Sequence, residues 1–341
     1  MTLVRFPIAK RAVSACLAAL IAWPALAAQD TTWKIEVWGA KRASLIPYEW
    51  YAKEVAARTG GRMKMEFTYD KGDPAQMLDL LKSGSADATY VCSQYVPKKA
   101  PLLTILDLPM FSPDNLVAMG RTELALADHP AIEEELRAWN AKMLLPTPLP
   151  QYQLMGTRKV ARVDDLKGAK IRMSGDMGRI LAEYGAEVMT FPASESMPAL
   201  KSGKIDLVSL PYPSTFVAYK LQDSSKYATE NISLGAALCY LAVNVKSWDA
   251  LPADVRKVML DLREPLIKRY PDAYAIEDAA SFADFKAKGI ELVKFNPVDR
   301  ARLVARAIKA WDAWIDEREK QGLKGREVFE FTQKKMREFS K

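Results

Sequence analysis

Two stretches far apart in this chain are written alike. Leu80-Leu81-Lys82-Ser83-Gly84-Ser85-Ala86-Asp87 and Ala199-Leu200-Lys201-Ser202-Gly203-Lys204-Ile205-Asp206 each run from helix-like residues through a glycine to an aspartate. An apolar strand accompanies each aspartate, over Asp87 to Cys92 and over Ile205 to Leu210. A helix stopped by glycine and followed at once by a strand is the returning half of a βαβ unit. Meeting it twice constrains the chain to two α/β lobes of similar build.

The flanking pattern agrees. Trp33 to Trp38 alternates and reads as a first strand. Tyr48 to Thr59 has helical periodicity and stops at Gly60-Gly61, and Arg62 to Tyr69 alternates again. Asp73 to Ser83 then reads as a helix. The apolar, proline-punctuated run Leu144 to Met155 carries the chain between lobes. Beyond it come a helix over Met177 to Tyr184, a strand over Glu187 to Phe191 and a helix over Ser194 to Ser202. Ala237 to Val243 reads as a strand. The helical stretch Ala253 to Lys288 is divided by Pro265 and Pro271, each of which removes a helix hydrogen bond. Arg300 to Lys320 is amphipathic, with Leu303, Ile308, Trp311 and Ile315 on or near one face, so Trp311 and Trp314 are expected to pack against a lobe. The predicted class is α/β, with ligands bound where strands end.

Asp165-Leu166-Lys167-Gly168-Ala169-Lys170-Ile171-Arg172 reads as a loop, a tight turn at Gly168 and a short strand that pushes an arginine forward. A guanidinium is always charged, and its planar fork matches a carboxylate at two points. An enclosed arginine needs an anion. Without one, water must serve, which favours an open cleft.

The N-terminus has the parts of an export signal: Arg5, Lys10 and Arg11, then apolar Ala12 to Ile21, then Ala25-Leu26-Ala27 as a cleavage site. The mature chain would begin at Ala28 or Gln29. The apolar run is too short to span a bilayer, and no later stretch is long enough. Val13-Ser14-Ala15-Cys16 precedes its apolar run rather than following it, which argues against lipidation. Removing the signal takes the formal charge from +7 to +4, and mixed runs such as Glu317-Arg318-Glu319-Lys320 read as solvated helix faces. No basic stripe interleaved with aromatics invites nucleic acid. Cys92 and Cys239 lie in apolar strand-like runs, where cysteine behaves as a small core residue. Export permits a bridge between them, but buried thiols are the favoured reading.

Catalytic machinery is sparse. His129 is the only histidine, in a turn-like Ala127-Asp128-His129-Pro130, so multi-histidine metal sites are excluded. No nucleophile elbow, phosphate loop or dinucleotide fingerprint occurs. A binding protein without cofactor is expected rather than an enzyme.

Several segments, taken in order, resemble the DctP-type periplasmic solute-binding proteins of TRAP transporters. Glu54 to Arg62 resembles that family's first helix and turn, and Leu81 to Asp87 the segment before its third strand. Leu106-Asp107-Leu108-Pro109-Met110-Phe111 resembles its "DLPF" stretch, Asp165 to Arg172 its "DLKGLKIR", and Ala199 to Asp206 its "ALQTGVVD". Trp248 to Val255 resembles the start of a late helix. The resemblance implies a two-lobed periplasmic-binding-protein fold with mixed sheets, a hinge and a long helix across both lobes. The expected division is signal peptide 1–27, lobe I 28–150 with return segments, lobe II 151–245, and a helical region 246–341 spanning both. It implies a periplasmic monomer that passes an organic acid to the integral membrane subunits of a TRAP permease, with Arg172 gripping the carboxylate. A periplasmic accessory presenting ligand to a sensory receptor is the first alternative, and a carboxylate-dependent enzyme a less favoured one.

The chain departs from the family's "VDG-x-E" pattern. The glycine is Leu207, the glutamate is Ser209 and the pocket position is Leu210, which argues against a metal. A second arginine of sialic-acid-binding relatives falls near Tyr152, making Gln151 and Tyr152 candidate donors. Gln94, Tyr212 and Trp38 stand near strand ends where the family lines its cleft. The expected pocket therefore holds Arg172 as its one charge, with Tyr152, Gln151, Gln94, Tyr212, Leu210, Ser209 and Trp38 around it. Such a pocket suits a monocarboxylate with an apolar or aromatic body.

Overall fold

A computed structural model of the chain describes residues 1–2, 30–173 and 175–341. The proposed signal segment lies outside the described residues, apart from its first two. The strands are β1 (Thr31–Glu36), β2 (Met63–Thr68), β3 (Ala88–Cys92), β4 (Ala141–Pro146), β5 (Tyr152–Gly156), β6 (Lys170–Arg172), β7 (Glu187–Met189), β8 (Leu207–Pro211), β9 (Tyr227–Thr229), β10 (Cys239–Asn244) and β11 (Glu291–Val293). They form two mixed sheets, ordered β2-β1-β3-β10-β4 and β11-β9-β5-β8-β6-β7. In the first, β1, β2 and β3 run parallel and β10 is antiparallel to both neighbours. In the second, β8, β6 and β7 run parallel, with β5 antiparallel to β8.

Residue chemistry accounts for the layering. In β1, Trp33 and Ile35 point inward while Lys34 and Glu36 face out or sit at the edge. Every residue of β3 and of β10 is buried, as central strands covered on both faces require. The helix Ile46–Arg58 has Pro47 in its first turn, where no intrahelical N–H is needed, and the chain leaves it through Gly60 and Gly61.

The sequence repeat is a repeat of hydrogen bonds. Gly84 and Gly203 both hold left-handed backbone, at φ +75° and +72°, and turn the chain out of a helix. Three residues later, Asp87 accepts the Lys34 N–H at 3.0 Å, while Asp206 accepts the Lys170 N–H at 2.9 Å. Each aspartate thus ties the entry of a strand to its parallel neighbour.

Three expectations need correction. β10 sits in the first sheet between β3 and β4, so the chain has re-entered lobe I by Cys239 and not at 245. Cys92 and Cys239 are a disulfide and not free thiols. They are directly opposed in the antiparallel β3–β10 pair, with Cα atoms 4.1 Å apart, a relation set by tertiary pairing that the local sequence does not display. Ile308 is 48% exposed, because five helical residues after Leu303 lead about 140° around the axis. Leu303, Ala307, Ala310, Trp314 and Ile315 form the buried stripe instead.

That stripe belongs to the helix Pro297–Lys320, started by Asn296, whose side chain accepts from the Val298 and Asp299 N–H groups. Trp311 donates its indole N–H to Pro109 O at 2.8 Å, and Trp314 donates to Thr104 Oγ1 at 2.7 Å. On the other side, Arg306 pairs with Glu183 and Arg179 with Glu317. The helix therefore touches segments that follow each sheet's parallel strands. Pro265 and Pro271 do divide the preceding region, into Ala253–Asp261, Arg263–Ile267 and Tyr270–Ala287. Two further helices, Leu116–Ala127 and Pro130–Arg137, escaped the periodicity reading and are started by Asn115 and His129. His129 accepts the Ala131 N–H through Nδ1, a capping role. Among the described residues no helix is long and apolar enough to cross a membrane.

Two measurements follow from this packing. The disulfide closes a loop with a sequence separation of 147. Replacing both cysteines by serine is expected to lower unfolding stability by about 2–5 kcal/mol in urea titrations, whereas an unchanged midpoint would show the bridge to be inconsequential. The Glu135 carboxylate accepts the Leu102 and Leu103 N–H groups at 2.7 and 3.3 Å, yet burial pushes its pKa up to about 7. An unfolded glutamate titrates near about 4.3, so between there and about pH 7 the native state holds a proton that the unfolded state has lost. Its contribution to stability is full below that window and falls as pH rises through it. The Glu135→Gln variant should show a flatter decline of midpoint over the window than the parent; parallel profiles would mean that the carboxylate is ionised throughout.

Candidate functional site

The ends of strands from both sheets converge. β1 leads to Trp38, β3 to Gln94 and Tyr95, β6 ends at Arg172 and β8 at Pro211, while Tyr152 opens the antiparallel β5 directly opposite Pro211. These are the carboxyl ends at which such sheets place ligands. Between them lies a narrow cavity of about 20 Å³, walled by Trp38, Arg42, Tyr90, Gln94, Tyr95, Tyr152, Leu210 and Tyr219, with the Cys92–Cys239 bridge also in its wall.

Arg172 is fully buried. Nε and Nη2 donate to Phe191 O at 3.1 and 2.7 Å, Nη1 points to Ser209 O at 3.4 Å, and Nη2 also donates to the Tyr95 hydroxyl at 2.8 Å. All of these partners are neutral. Among the described residues no carboxylate lies within ion-pair distance of Arg172. Main-chain oxygens and one phenol surround the cation. Arg172 does not itself line the cavity and reaches its edge through Tyr95. That bond also joins the segment after β3 to the end of β6, and so crosses between the lobes.

Of the remaining candidates, Trp38, Gln94, Tyr152 and Leu210 stand in the wall. The Trp38 indole N–H and Gln94 Oε1 are buried with no protein partner. Ser209 lies behind the wall, offering its carbonyl to Arg172 while its hydroxyl is buried and unpartnered. Gln151 is turned elsewhere: its amide donates to Ser112 Oγ and Pro113 O and accepts from the Gly235 N–H. Tyr212 packs its ring on Phe216, Phe282 and Phe285, in a separate apolar cluster. Neither Gln151 nor Tyr212 lines the cavity: the first is held by Ser112, Pro113 and Gly235, the second by its aromatic neighbours.

Arg42, Tyr90, Tyr95 and Tyr219 are wall residues that the sequence reading missed. Arg42 follows β1 by a few residues, so the strand-end rule could have found it. Its guanidinium lies 4.7 Å from the Trp38 ring centroid and 5.2 Å from that of Tyr90. The cavity wall thus carries Arg42, a charge that the sequence reading did not place there, while Arg172 stands behind the wall. Tyr219 arrives from lobe II, and only a glycine permits its approach. A Cβ on Gly39 would sit 2.7 Å from the Tyr219 hydroxyl and 3.3 Å from Arg42 Nη1, and Gly39 has φ +71°. Burial pushes the Tyr90, Tyr152 and Tyr219 phenols upward, so all three remain neutral donors at neutral pH. Among the described residues no cluster of three or more histidine, cysteine, aspartate or glutamate side chains could hold a metal.

Two α/β lobes closing over a cavity at their strand ends define a periplasmic-binding-protein type of solute receptor. The family model for bacterial extracellular solute-binding proteins, family 7 (DctP), matches residues 36–318, and the chain belongs to that family. A solute-binding protein of Verminephrobacter eiseniae is 28% identical over 290 residues, covering 82% of this chain and 84% of its own length. A TRAP solute-binding protein from Rhodoferax ferrireducens T118, solved with copurified benzoate, aligns with TM-score 0.80 at 19% identity over 91% of this chain and 98% of the other. A marine metagenome TRAP solute-binding protein specific for aromatic acid ligands, solved with 3-hydroxybenzoate, aligns with TM-score 0.81 at 19% identity over 92% and 100%. At that identity the two structures establish a shared fold.

The approach of Tyr219 to Gly39 can be tested directly. Gly39→Ala should hold the lobes apart and give a larger radius of gyration in solution scattering than the parent. Superimposable profiles would mean that Tyr219 swings aside without opening the cleft.

Proposed function

We propose that this protein captures a small organic acid in its inter-lobe cavity, with Arg172 as the carboxylate-binding group, and delivers it to the membrane subunits of a TRAP permease. The observation that carries the reading is a completely buried guanidinium surrounded only by neutral oxygens. Desolvating a cation without an opposite charge is unfavourable by several kcal/mol, and a ligand carboxylate reverses that balance. The cavity's aromatic wall suits a flat or apolar ligand body. The benzoate and 3-hydroxybenzoate carried by relatives of the same fold are acids of that kind. Export through Ala25-Leu26-Ala27 would place the receptor in the periplasm.

Binding couples to closure through Tyr95. In the closed form its hydroxyl already accepts from Arg172, so an arriving carboxylate joins a pair that spans the lobes. The ligand favours closure by the difference between its affinities for the closed and open forms.

Thermal unfolding of the mature protein against a panel of carboxylates tests the proposal. A ligand at about 1,000 times its dissociation constant adds roughly 4 kcal/mol. Stabilisation by one class of acids, abolished in Arg172→Ala, is the expected result. Equal stabilisation of parent and variant would remove Arg172 from the binding role.

A further inference from the structure

A second, larger gap of about 660 Å³ opens beside the cavity, between the two lobes and the long helix Pro297–Lys320. Asp107 faces it from lobe I, Asp176 from lobe II, and Glu317 and Arg318 from the helix. Two carboxyls from opposite lobes thus share one space.

They meet on unequal terms. Asp176 pairs with Arg179 at 2.8 Å and keeps part of its surface in water. Asp107 is fully buried, and among the described residues no cation lies within ion-pair distance of it. Its partners fit a neutral acid. Oδ1 accepts the Leu238 N–H at 3.2 Å, while Ser93 Oγ lies 2.8 Å from Oδ2 and 3.0 Å from Leu238 O. A proton on Oδ2 reaches Ser93 Oγ, whose own proton is then free for Leu238 O, and each group is satisfied.

What covers Asp107 is the other lobe. Gly175 has φ +72°, and a Cβ there would sit 3.2 Å from Asp107 Cβ and 3.5 Å from its Cγ. The main chain of lobe II therefore lies directly on this side chain of lobe I, one residue before Asp176. Parting of the lobes lifts that cover and admits water.

The surrounding charges leave the balance in place. Arg179 is divided between Asp176 and Glu317, and Arg318 is engaged by Pro101 O, Thr104 Oγ1 and Glu317. Lys98 lines the gap from an exposed position, and Tyr152 is a neutral phenol. Burial pushes the Asp107 carboxyl well above the ordinary carboxylate range, and the charge of Asp176 acts in the same direction.

We infer that lobe closure is proton-linked: shutting Gly175 and Asp176 over Asp107 requires Asp107 to carry a proton, which it gives up when the lobes part. The device is independent of which solute is captured. The closed form holds one proton more than the open form, so closure is favoured at low pH and weakens as pH rises. Between the open-form and closed-form titrations of Asp107, the closed-to-open ratio falls about tenfold per pH unit.

Small-angle scattering of the ligand-free protein from about pH 5 to about pH 8, above the range where an exposed aspartate titrates, tests this. The radius of gyration should grow with pH. Asp107→Asn mimics the neutral acid, with an amide to donate to Ser93 and an oxygen for the Leu238 N–H, and should keep the acid-form radius throughout. Asp176→Asn removes the opposing charge and should shrink the change; it is the deciding variant should Asp107→Asn fail to fold. A parent radius that is constant or falls with pH would overturn the inference. So would a pH response undiminished in the variants, or an Asp107→Asn protein fixed at the alkaline radius.

Discussion

A full positive charge enclosed away from water is the condition around which the site is organised. Arg172 can occupy the end of β6 only because several oxygens are aimed at it. The Phe191 carbonyl follows β7, the Ser209 carbonyl belongs to β8, and the Tyr95 hydroxyl comes from the opposite lobe. The short parallel strands β6, β7 and β8 thus act as a frame that fixes one guanidinium. Neutral oxygens lower the desolvation cost without removing the charge, and the proposed capture of an acid rests on that residual field.

Much of the fold was legible because its signals are local. Glycines at left-handed positions stop helices, and Gly84 and Gly203 do so where the repeat placed them. Prolines cannot continue a helix interior, and Pro265 and Pro271 fall where the late helical region breaks. What local sequence could not display was pairing across distance. Nothing around Cys239 says that its strand returns to the first sheet, because a fully apolar strand suits a central place in either sheet. The bridge to Cys92 follows from that pairing and was missed with it.

The site divides along the same line. Trp38 and Gln94 were named because strand ends are visible in sequence, while Tyr152 and Leu210 were named from the family resemblance. Gln151 and Tyr212 stood beside wall residues but are engaged elsewhere, by Ser112, Pro113 and Gly235 and by an aromatic cluster. Arg42 and Tyr219 meet across the lobe boundary, over a glycine whose role shows only when both lobes are in place. The composition of a cavity between lobes depends on closure, which no single segment encodes.

The disulfide gives the second lobe an unusual status. The chain leaves the first sheet after Pro146 and is back in it at Cys239, the residue bonded to Cys92. Strands β5 to β9 therefore hang from the first lobe as a closed covalent loop. A cut anywhere between Ser93 and Leu238 would leave two fragments still joined by sulfur, separable only under reducing conditions. In an oxidising compartment patrolled by proteases, the receptor could be nicked in its ligand-facing lobe and remain one molecule.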